Sequence, residues 1–331
     1  MTSAALPYND YGTAMRRRLG GRVQKLSLDA RLGCPHRAYG AQGGGCSFCL
    51  DEAFSPSYCR ATTSISEQID AALRFHSSRR RRAEHYLAYF QAGTNTNADV
   101  QTLRKLYTEA AGHPAIAGII VGTRPDCIDS DIVELFDEIS HSKYVAVEYG
   151  IEATDDAILR HVNRGHSYAD AVAAIALTRR ATRVDIGAHF ILGLPYHTRD
   201  SIVASVADIN ALGLDYVKFH QLQIYRHTPI AAEWAEHRER FLLSRAFDAG
   251  DYADLLVDLI RRLSPATAID RFLARAPGHM LVDAPFSGLD ADALRHMILE
   301  RMGSLGAFQG DMLPKSSHTL RPRHSDTQGS F

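Results

Sequence analysis

Tyr144-Val-Ala-Val-Glu-Tyr-Gly150, near the middle of the chain, reads as a strand, and helical stretches at about 155–162 and 167–180 follow it. The same strand-then-helix alternation continues outward in both directions. Upstream, Gly118-Ile-Ile-Val-Gly122 is a short strand of the buried kind, followed by a helix with Ile132, Leu135, Phe136 and Ile139 on one side. Before it, His85-Tyr-Leu-Ala-Tyr-Phe90 is followed by a helix starting near Asn97 and carrying Val100, Leu103, Leu106 and Tyr107. The first strand is Val23-Gln-Lys-Leu-Ser-Leu28. A cysteine-bearing loop comes next, and then Ser64 and Glu67 form a capping box ahead of Ile65, Ile69, Leu73 and Phe75. Downstream, Asp185-Ile-Gly-Ala-His-Phe-Ile-Leu192 is the fifth strand. It leads into a helix of Ile202, Val206, Ile209 and Leu212 that Gly213 stops, and Tyr216-Val-Lys-Phe-His-Gln-Leu-Gln223 is the sixth strand.

Six strands alternating with helices imply a parallel sheet with right-handed crossovers, and six rather than eight implies an α/β fold of the partial (β/α)6 TIM type. In such barrels the C-terminal rim of the strands carries the site. The polar residues at those strand ends, Thr94-Asn95-Thr96, Thr123-Arg124, Glu148, Glu152, His189, Lys218 and His220, should therefore converge on one mouth. The expected organisation is a lead-in at 1–20, a core at 21–225, a mostly helical C-terminal extension at 226–308 that holds Trp234, and a disordered tail at 309–331 rich in Ser, His, Pro, Gln and Gly.

Composition narrows the function. The chain has 331 residues, 45% apolar and 23% charged, which excludes disordered, collagen-like and coiled-coil classes. Lys plus Arg is 37 against 38 for Asp plus Glu, so at net charge −1 no global field draws the protein to nucleic acid or membrane. There is no signal-peptide pattern and no apolar run approaching the roughly 18 residues of a membrane span, so a soluble cytoplasmic protein is expected, with no membrane partner.

Five cysteines, Cys34, Cys46, Cys49, Cys59 and Cys127, argue against a disulfide framework. Three crowd the segment Cys34-Pro-His-Arg-Ala-Tyr-Gly-Ala-Gln-Gly-Gly-Gly-Cys46-Ser-Phe-Cys49, whose polar, Gly-rich character suits metal ligation better than core packing. Two readings compete. A four-iron cluster held by three thiolates keeps one iron open. Alternatively, His36 could complete a closed zinc site with the same cysteines, which would make the chain a non-catalytic zinc-stabilised RNA-binding protein.

The triplet ending in Cys46-Ser-Phe48-Cys49, set after a first strand and ahead of the βα units, resembles the radical S-adenosylmethionine (SAM) superfamily. It departs from the commonest spacing of that superfamily, since eleven residues lie between Cys34 and Cys46 instead of three. Val23-Gln-Lys-Leu-Ser-Leu28, Cys34-Pro, Gly44-Gly-Cys, Phe54-Ser, Tyr89-Phe-Gln-Ala, Val121-Gly-Thr-Arg-Pro-Asp-Cys127, Asn163-Arg-Gly-His166 and Leu192-Gly-Leu-Pro195 together resemble the YhcC-type branch of elongator-like radical SAM proteins over roughly residues 10–300. The resemblance implies a [4Fe-4S] cluster on Cys34, Cys46 and Cys49 with SAM on its fourth iron, reductive cleavage to a 5′-deoxyadenosyl radical, and hydrogen abstraction from a substrate. It further implies a reduced flavodoxin or ferredoxin-type electron donor.

By the same resemblance, Phe48 would lie beside the adenine, unless it only anchors the loop. Thr94, Asn95 and Thr96 stand where relatives have Gly-Gly-Glu, and could accept from the methionine ammonium group. Glu152 matches a ribose contact and Arg164 a carboxylate contact, against the alternative of a surface ion pair. Gly193 and Leu194 would lie near the adenine. Lys218 and His220 share a strand face, and with His189 they are candidates for substrate binding or proton transfer. Arg16 to Arg18 and Arg79 to Arg82 could bind phosphates. Elongator-like relatives act on transfer RNA, so a tRNA wobble uridine is one expected substrate and a small metabolite the other.

Overall fold

The computed structural model describes residues 6–38, 44–50, 55–60, 64–77, 83–244, 247–283, 286 and 289–314. The strands are β1 (Val23–Leu28), β2 (His85–Phe90), β3 (Ile116–Thr123), β4 (Tyr144–Glu152), β5 (Asp185–Leu192), β6 (Tyr216–Gln221), β7 (Ile224–Tyr225), β8 (Ala268–Arg271) and β9 (Leu281–Asp283). The helices are α1 (Tyr11–Leu19), α2 (Pro35–Ala38), α3 (Ser57–Arg60), α4 (Ile65–Ser77), α5 (Val100–Gly112), α6 (Ser130–Ser140), α7 (Asp156–His161), α8 (Tyr168–Thr178), α9 (Arg199–Ala204), α10 (Val206–Leu212), α11 (Pro229–Glu236), α12 (Ala249–Arg262) and α13 (Ala291–Leu305).

One parallel sheet runs β1-β2-β3-β4-β5-β6-β8, and β7 pairs antiparallel with β9 in a small second sheet. Alternation sorts each main strand into two faces. Leu26, Leu28, Phe90, Val121, Val147, Ile186 and Phe219 turn outward and pack under helix residues such as Ile69, Tyr107, Phe136, Ile175, Ile209 and Leu256. Leu87, Tyr89, Ile120, Tyr144, Ala146, Tyr216 and Ala268 turn inward and meet Tyr11 and Met15 of α1. Space inside is so limited that a Cβ on Gly187 would sit 2.4 Å from the Tyr216 ring. Several helices start on side-chain caps, among them α5, α6 and α8, and α4 starts on the Ser64–Glu67 box read from sequence, in which both bonds form at 3.1 Å.

The sheet is an open half-barrel whose two edges curl towards each other. Lys25 on β1 reaches Asp270 on β8 at 2.7 Å, and α1 sits across the seam with Asp10 bridging to Ile269. The partial barrel expected from sequence is therefore present, with a seventh strand added. That strand, β8, comes from the segment read as a helical extension. Four residues after Pro265 are too short for a periodicity signal, and parallel pairing with β6 builds the strand. α12 is its crossover helix, burying Tyr252, Leu255, Leu256, Leu259 and Ile260.

Part of the segment expected to be a disordered tail is folded onto the core. Residues 309–314 are packed: Gln309 Oε1 accepts from Asn9 N (2.8 Å), its Nε2 donates to Ser264 O (2.6 Å) and Thr267 O (2.8 Å), and Arg261 pairs with Asp311. A polar composition does not reveal that one amide can satisfy three backbone groups at once. Residues 315–331, the Arg79 to Arg82 run and Phe54 lie outside the described residues.

Gln309→Ala should therefore lower stability by roughly 1–3 kcal/mol, because it strands buried backbone groups at both ends of the chain. The urea midpoint checks this, and an unchanged midpoint would show that the segment contributes nothing.

Candidate active site

The cysteine loop leaves β1 at the C-terminal rim and is tied down by Val162 and Asn163 of the segment after β4 and by its own Arg37. Ser47 N donates to Val162 O (2.9 Å), Asn163 Nδ2 donates to Gly45 O (2.8 Å), and Arg37 Nη2 donates to Cys49 O (2.5 Å). His36 holds the other side. Its Nε2 donates to Asn163 O at 2.7 Å, and its ring lies so close to Gly165 that a Cβ there would sit 2.7 Å away. A tight turn, Cys49 N to Cys46 O at 3.1 Å, joins the last two cysteines. Cys34, Cys46 and Cys49 all line one cavity of about 190 Å³.

The cavity's charged wall comes from the ends of β3 and β4. The register of β4 with β5 slips between Gly150 and Glu152, and Glu152 has a left-handed φ of 74°. Such a bulge re-aims a side chain, here into the cavity, at the cost of backbone strain. Arg164 packs against it, with Nη2 donating to Gly150 O (2.6 Å) and standing 3.7 Å from Glu152, and with Nη1 at 3.4 Å from Cys46 Sγ. A Cβ on Gly150 would strike both Glu152 and Arg164, at 2.6 and 2.9 Å. Burial pushes the Glu152 carboxyl up, with Arg164 and Arg124 opposing. Arg124 grips Asp126 through two bonds of 2.9 Å. Arg124 Nη1 and Arg164 Nε are buried donors with no partner among the described residues.

Glu148, fully buried, lies at the floor. It accepts from Tyr216 OH (2.9 Å), Lys25 Nζ (3.3 Å), Lys218 Nζ (2.5 Å) and His189 Nε2 (2.9 Å). Burial alone would raise its pKa, but Lys218, Lys25 and His189 hold it well below the usual carboxylate range. An ionised Glu148 only accepts, so His189 carries its proton on Nε2 and leaves Nδ1 as the acceptor. Burial, with Lys218 adding, lowers the His189 pKa to about 4. Burial likewise lowers the Lys218 ammonium to about 8. Next to them, Arg271 Nη2 donates to His220 Nε2 at 3.2 Å, and burial followed by Arg271 drives the His220 pKa well below its ordinary value.

The structure brings Cys34, Cys46, Phe48, Cys49, Thr94, Glu152, Arg164, His189 and His220 to this cavity, with Lys218 just beneath it. Four other candidates lie elsewhere. The Asn95 amide donates to Phe90 O and Gly122 O, and the Thr96 hydroxyl bonds to Thr123 and Cys127 O, so both knit strand ends together. A Cβ on Gly193 would meet Leu243, and Leu194 packs with Ile158 and Trp234. Cys59 and Cys127 are thiols that burial pushes up to about 11. Arg271 and Tyr225 line the cavity without having been singled out in sequence, because β8 and β7 gave no readable strand signal.

The radical SAM superfamily model matches residues 32–209, and a radical SAM C-terminal domain model matches 214–303. The chain belongs to the radical SAM superfamily. Protein YhcC of Escherichia coli (strain K12) is 32% identical over 269 residues, which cover 81% of this chain and 84% of that one. A tRNA uridine(34) acetyltransferase of Dehalococcoides mccartyi is 25% identical over 201 residues, 60% of this chain and 41% of its own length. Among solved structures, the archaeal Methanocaldococcus infernus Elp3 superposes with a TM-score of 0.63 at 15% identity, over 87% of this chain and 64% of that chain, a likeness of fold. This radical SAM enzyme thus has its family's half-barrel with a cysteine-lined mouth.

Two outcomes follow from the site's physics. At Glu152, Gly tolerates the left-handed backbone and Ala does not, so Glu152→Gly should be more stable than Glu152→Ala by roughly 1–2 kcal/mol in urea unfolding. Equal stabilities would mean the bulge relaxes when the carboxylate is gone. His166, His189 and His197 each have pKa values lowered to about 4 from 6.5, in every case by burial first. Between those values the unfolded chain binds protons that the folded chain does not, so stability should fall as pH drops from 6.5 to 5. His189→Gln, which keeps a donor for Glu148, should remove about one proton's share of that slope, up to ~1.4 kcal/mol per pH unit. Urea midpoints across this range provide the measurement, and a slope unchanged by the substitution would show that His189 is charged in the folded protein.

Proposed function

We propose that this radical SAM enzyme holds a [4Fe-4S] cluster on Cys34, Cys46 and Cys49 with SAM bound beside it, and that its substrate is a small molecule received on the floor of the same cavity. One observation carries the reading. Three cysteine thiols, the buried Glu148 carboxylate and, at the charged wall, the buried guanidinium groups of Arg124 and Arg164, each with one unpartnered N–H donor, line a single cavity. Three thiolates are the donor set of a cluster with one open iron, and the two idle donors suit a carboxylate. When bound, this cofactor pair supplies one-electron cleavage of the SAM sulfonium, which yields a 5′-deoxyadenosyl radical able to abstract hydrogen.

The chain's own residues bind and orient. Arg164 Nε and Arg124 Nη1 would take the methionine carboxylate of SAM, and Glu152 would accept both hydroxyls of the ribose. Thr94, held by its N–H to Gly33 O at 2.8 Å, offers hydroxyl and carbonyl acceptors for the ammonium group. Phe48 lies on the cavity wall and also packs towards the cluster of Leu222 and Trp234, so it can serve as both adenine neighbour and loop anchor. His189 lines the cavity, and with Nε2 donating to Glu148 its Nδ1 would be the nitrogen that accepts a proton. His36 would not serve as a zinc ligand through Nε2, which is committed to Asn163 O. A reduced flavodoxin or ferredoxin-type donor would supply the electron.

A tRNA substrate draws support from the Dehalococcoides relative and from the arginine runs. Arg18, however, pairs with Asp185 at the start of β5, the rim opposite the cysteines, so the Arg16 to Arg18 run does not line the mouth. That placement favours the small-molecule reading.

Anaerobically purified protein should hold about four irons per chain and release 5′-deoxyadenosine from SAM on reduction. Cys34→Ala, Cys46→Ala and Cys49→Ala should each lose the iron, whereas Cys59→Ala and Cys127→Ala should keep it. Arg164→Ala should keep iron and weaken SAM binding roughly ten- to a hundredfold, the loss of one charge-assisted contact. One zinc and no iron by metal analysis would overturn the proposal.

A further inference from the structure

The cavity floor holds more positive than negative charge. Lys25 and Lys218 share two carboxylates, Glu148 and Asp270, at distances of 2.5–3.4 Å. These four charges balance. Arg271 adds a third cation, and its polar contact among the described residues is with His220, an imidazole that burial keeps neutral. A guanidinium only donates, so His220 Nε2 accepts from it and the bond supplies no countercharge. Arg271 Nε is buried with no partner. An ionised group held this way costs free energy unless an anion arrives to complete it.

Arg271 is also fixed in place. Just beyond it, Ala274 N donates to Gln221 Oε1 (2.8 Å), and Ala274 O accepts from both Gln221 Nε2 (2.8 Å) and Gln223 Nε2 (2.9 Å). The two amides are thereby used to brace the chain after β8, and the His189 ring backs His220 with centroids 5.3 Å apart. A charged fork whose supports are locked is a binding group prepared ahead of its ligand. It comes from β8 and β6, whereas Glu152 ends β4 and the thiols, Arg124 and Arg164 come from the segments after β1, β3 and β4.

We infer that Arg271, backed by His220, binds an oxyanion of the substrate, a carboxylate or a phosphate group, which makes the substrate an anionic small molecule. Naming that anion as part of the substrate rests on the proposed cofactor reading; the anion site itself does not.

The test uses the anaerobic, iron-loaded enzyme titrated separately with sodium acetate and with inorganic phosphate at constant ionic strength, followed by the concentration-dependent rise of the unfolding midpoint. At least one anion should give a saturable rise in the parent. Arg271→Gln should weaken that binding tenfold or more, and Arg271→Lys should fall between, while iron content and SAM affinity stay at parent values in both. Whichever anion binds more tightly identifies the group. Equal midpoint shifts in the parent and Arg271→Gln, or no saturable shift with either anion, would overturn the inference. A drop in SAM affinity in Arg271→Gln would also overturn it, by assigning Arg271 to the cofactor. Anion binding that depends on Arg271 in a protein lacking iron would uphold the site while defeating the cofactor reading.

Discussion

A carboxylate with no solvent exposure sits where four strands of the half-barrel point inward, and its need for donors organises the interior. Isolated in an apolar core, Glu148 would be neutral or the fold would be lost. Here it accepts from β1, β5 and twice from β6, through Lys25, His189, Tyr216 and Lys218. Those bonds set how far the sheet curls, because Lys25 meets Glu148 and Asp270 together only if the two sheet edges approach. They also set the height of the floor and the tautomer of the histidine above it. Hydrophobic packing covers the outer face of the sheet and the part of the inner face that meets α1, whereas the layer under the cavity is specified by charge. A buried ionic layer adds little net stability, but removing one partner leaves others unpaired, so it holds one arrangement sharply.

The rim works on a different principle. Glu152 and Asn163 both adopt left-handed backbone, and both touch the cysteine-loop neighbourhood: Glu152 faces Arg164, and Asn163 holds Gly45 and His36. Strain at these points is maintained by the rigid strands beneath them. Floor and rim thus divide the work. The ionic layer sets a stable geometry, and the strained edge gives up some stability to place a carboxylate and an arginine in the cavity.

Much of this architecture is legible in the sequence because it is local. The strands announce themselves by apolar runs, the helices by apolar spacing and by the Ser64–Glu67 capping box, and the cysteine loop by composition. Alternation alone places Lys218 and His220 on one face, and the structure puts both on the cavity side. What stays hidden depends on distant pairing. β8 is four residues long and becomes a strand only because β6 offers an edge, so Arg271 gives no sign of reaching the cavity. Asn95 and Thr96 match a motif position but are drawn into backbone bonds by the strand ends around them. Gln309 looks like part of a polar tail until Asn9, three hundred positions earlier, is brought beside it.

That last contact bears on how the protein is made. The N-terminal segment hydrogen-bonds with Gln309, and the sheet edge opposite β1 is supplied only at Ala268–Arg271. During synthesis the first six parallel strands can pair in order as they emerge. Lys25 and Lys218 must wait for Asp270, and the seam under α1 closes only when nearly all the described chain is available. Long-range parallel pairing is slow, and an open sheet edge invites association with other chains. The floor of the cavity is therefore the last part of the barrel to form, and a nascent or truncated chain would carry its cysteine loop on a half-barrel still open at one side.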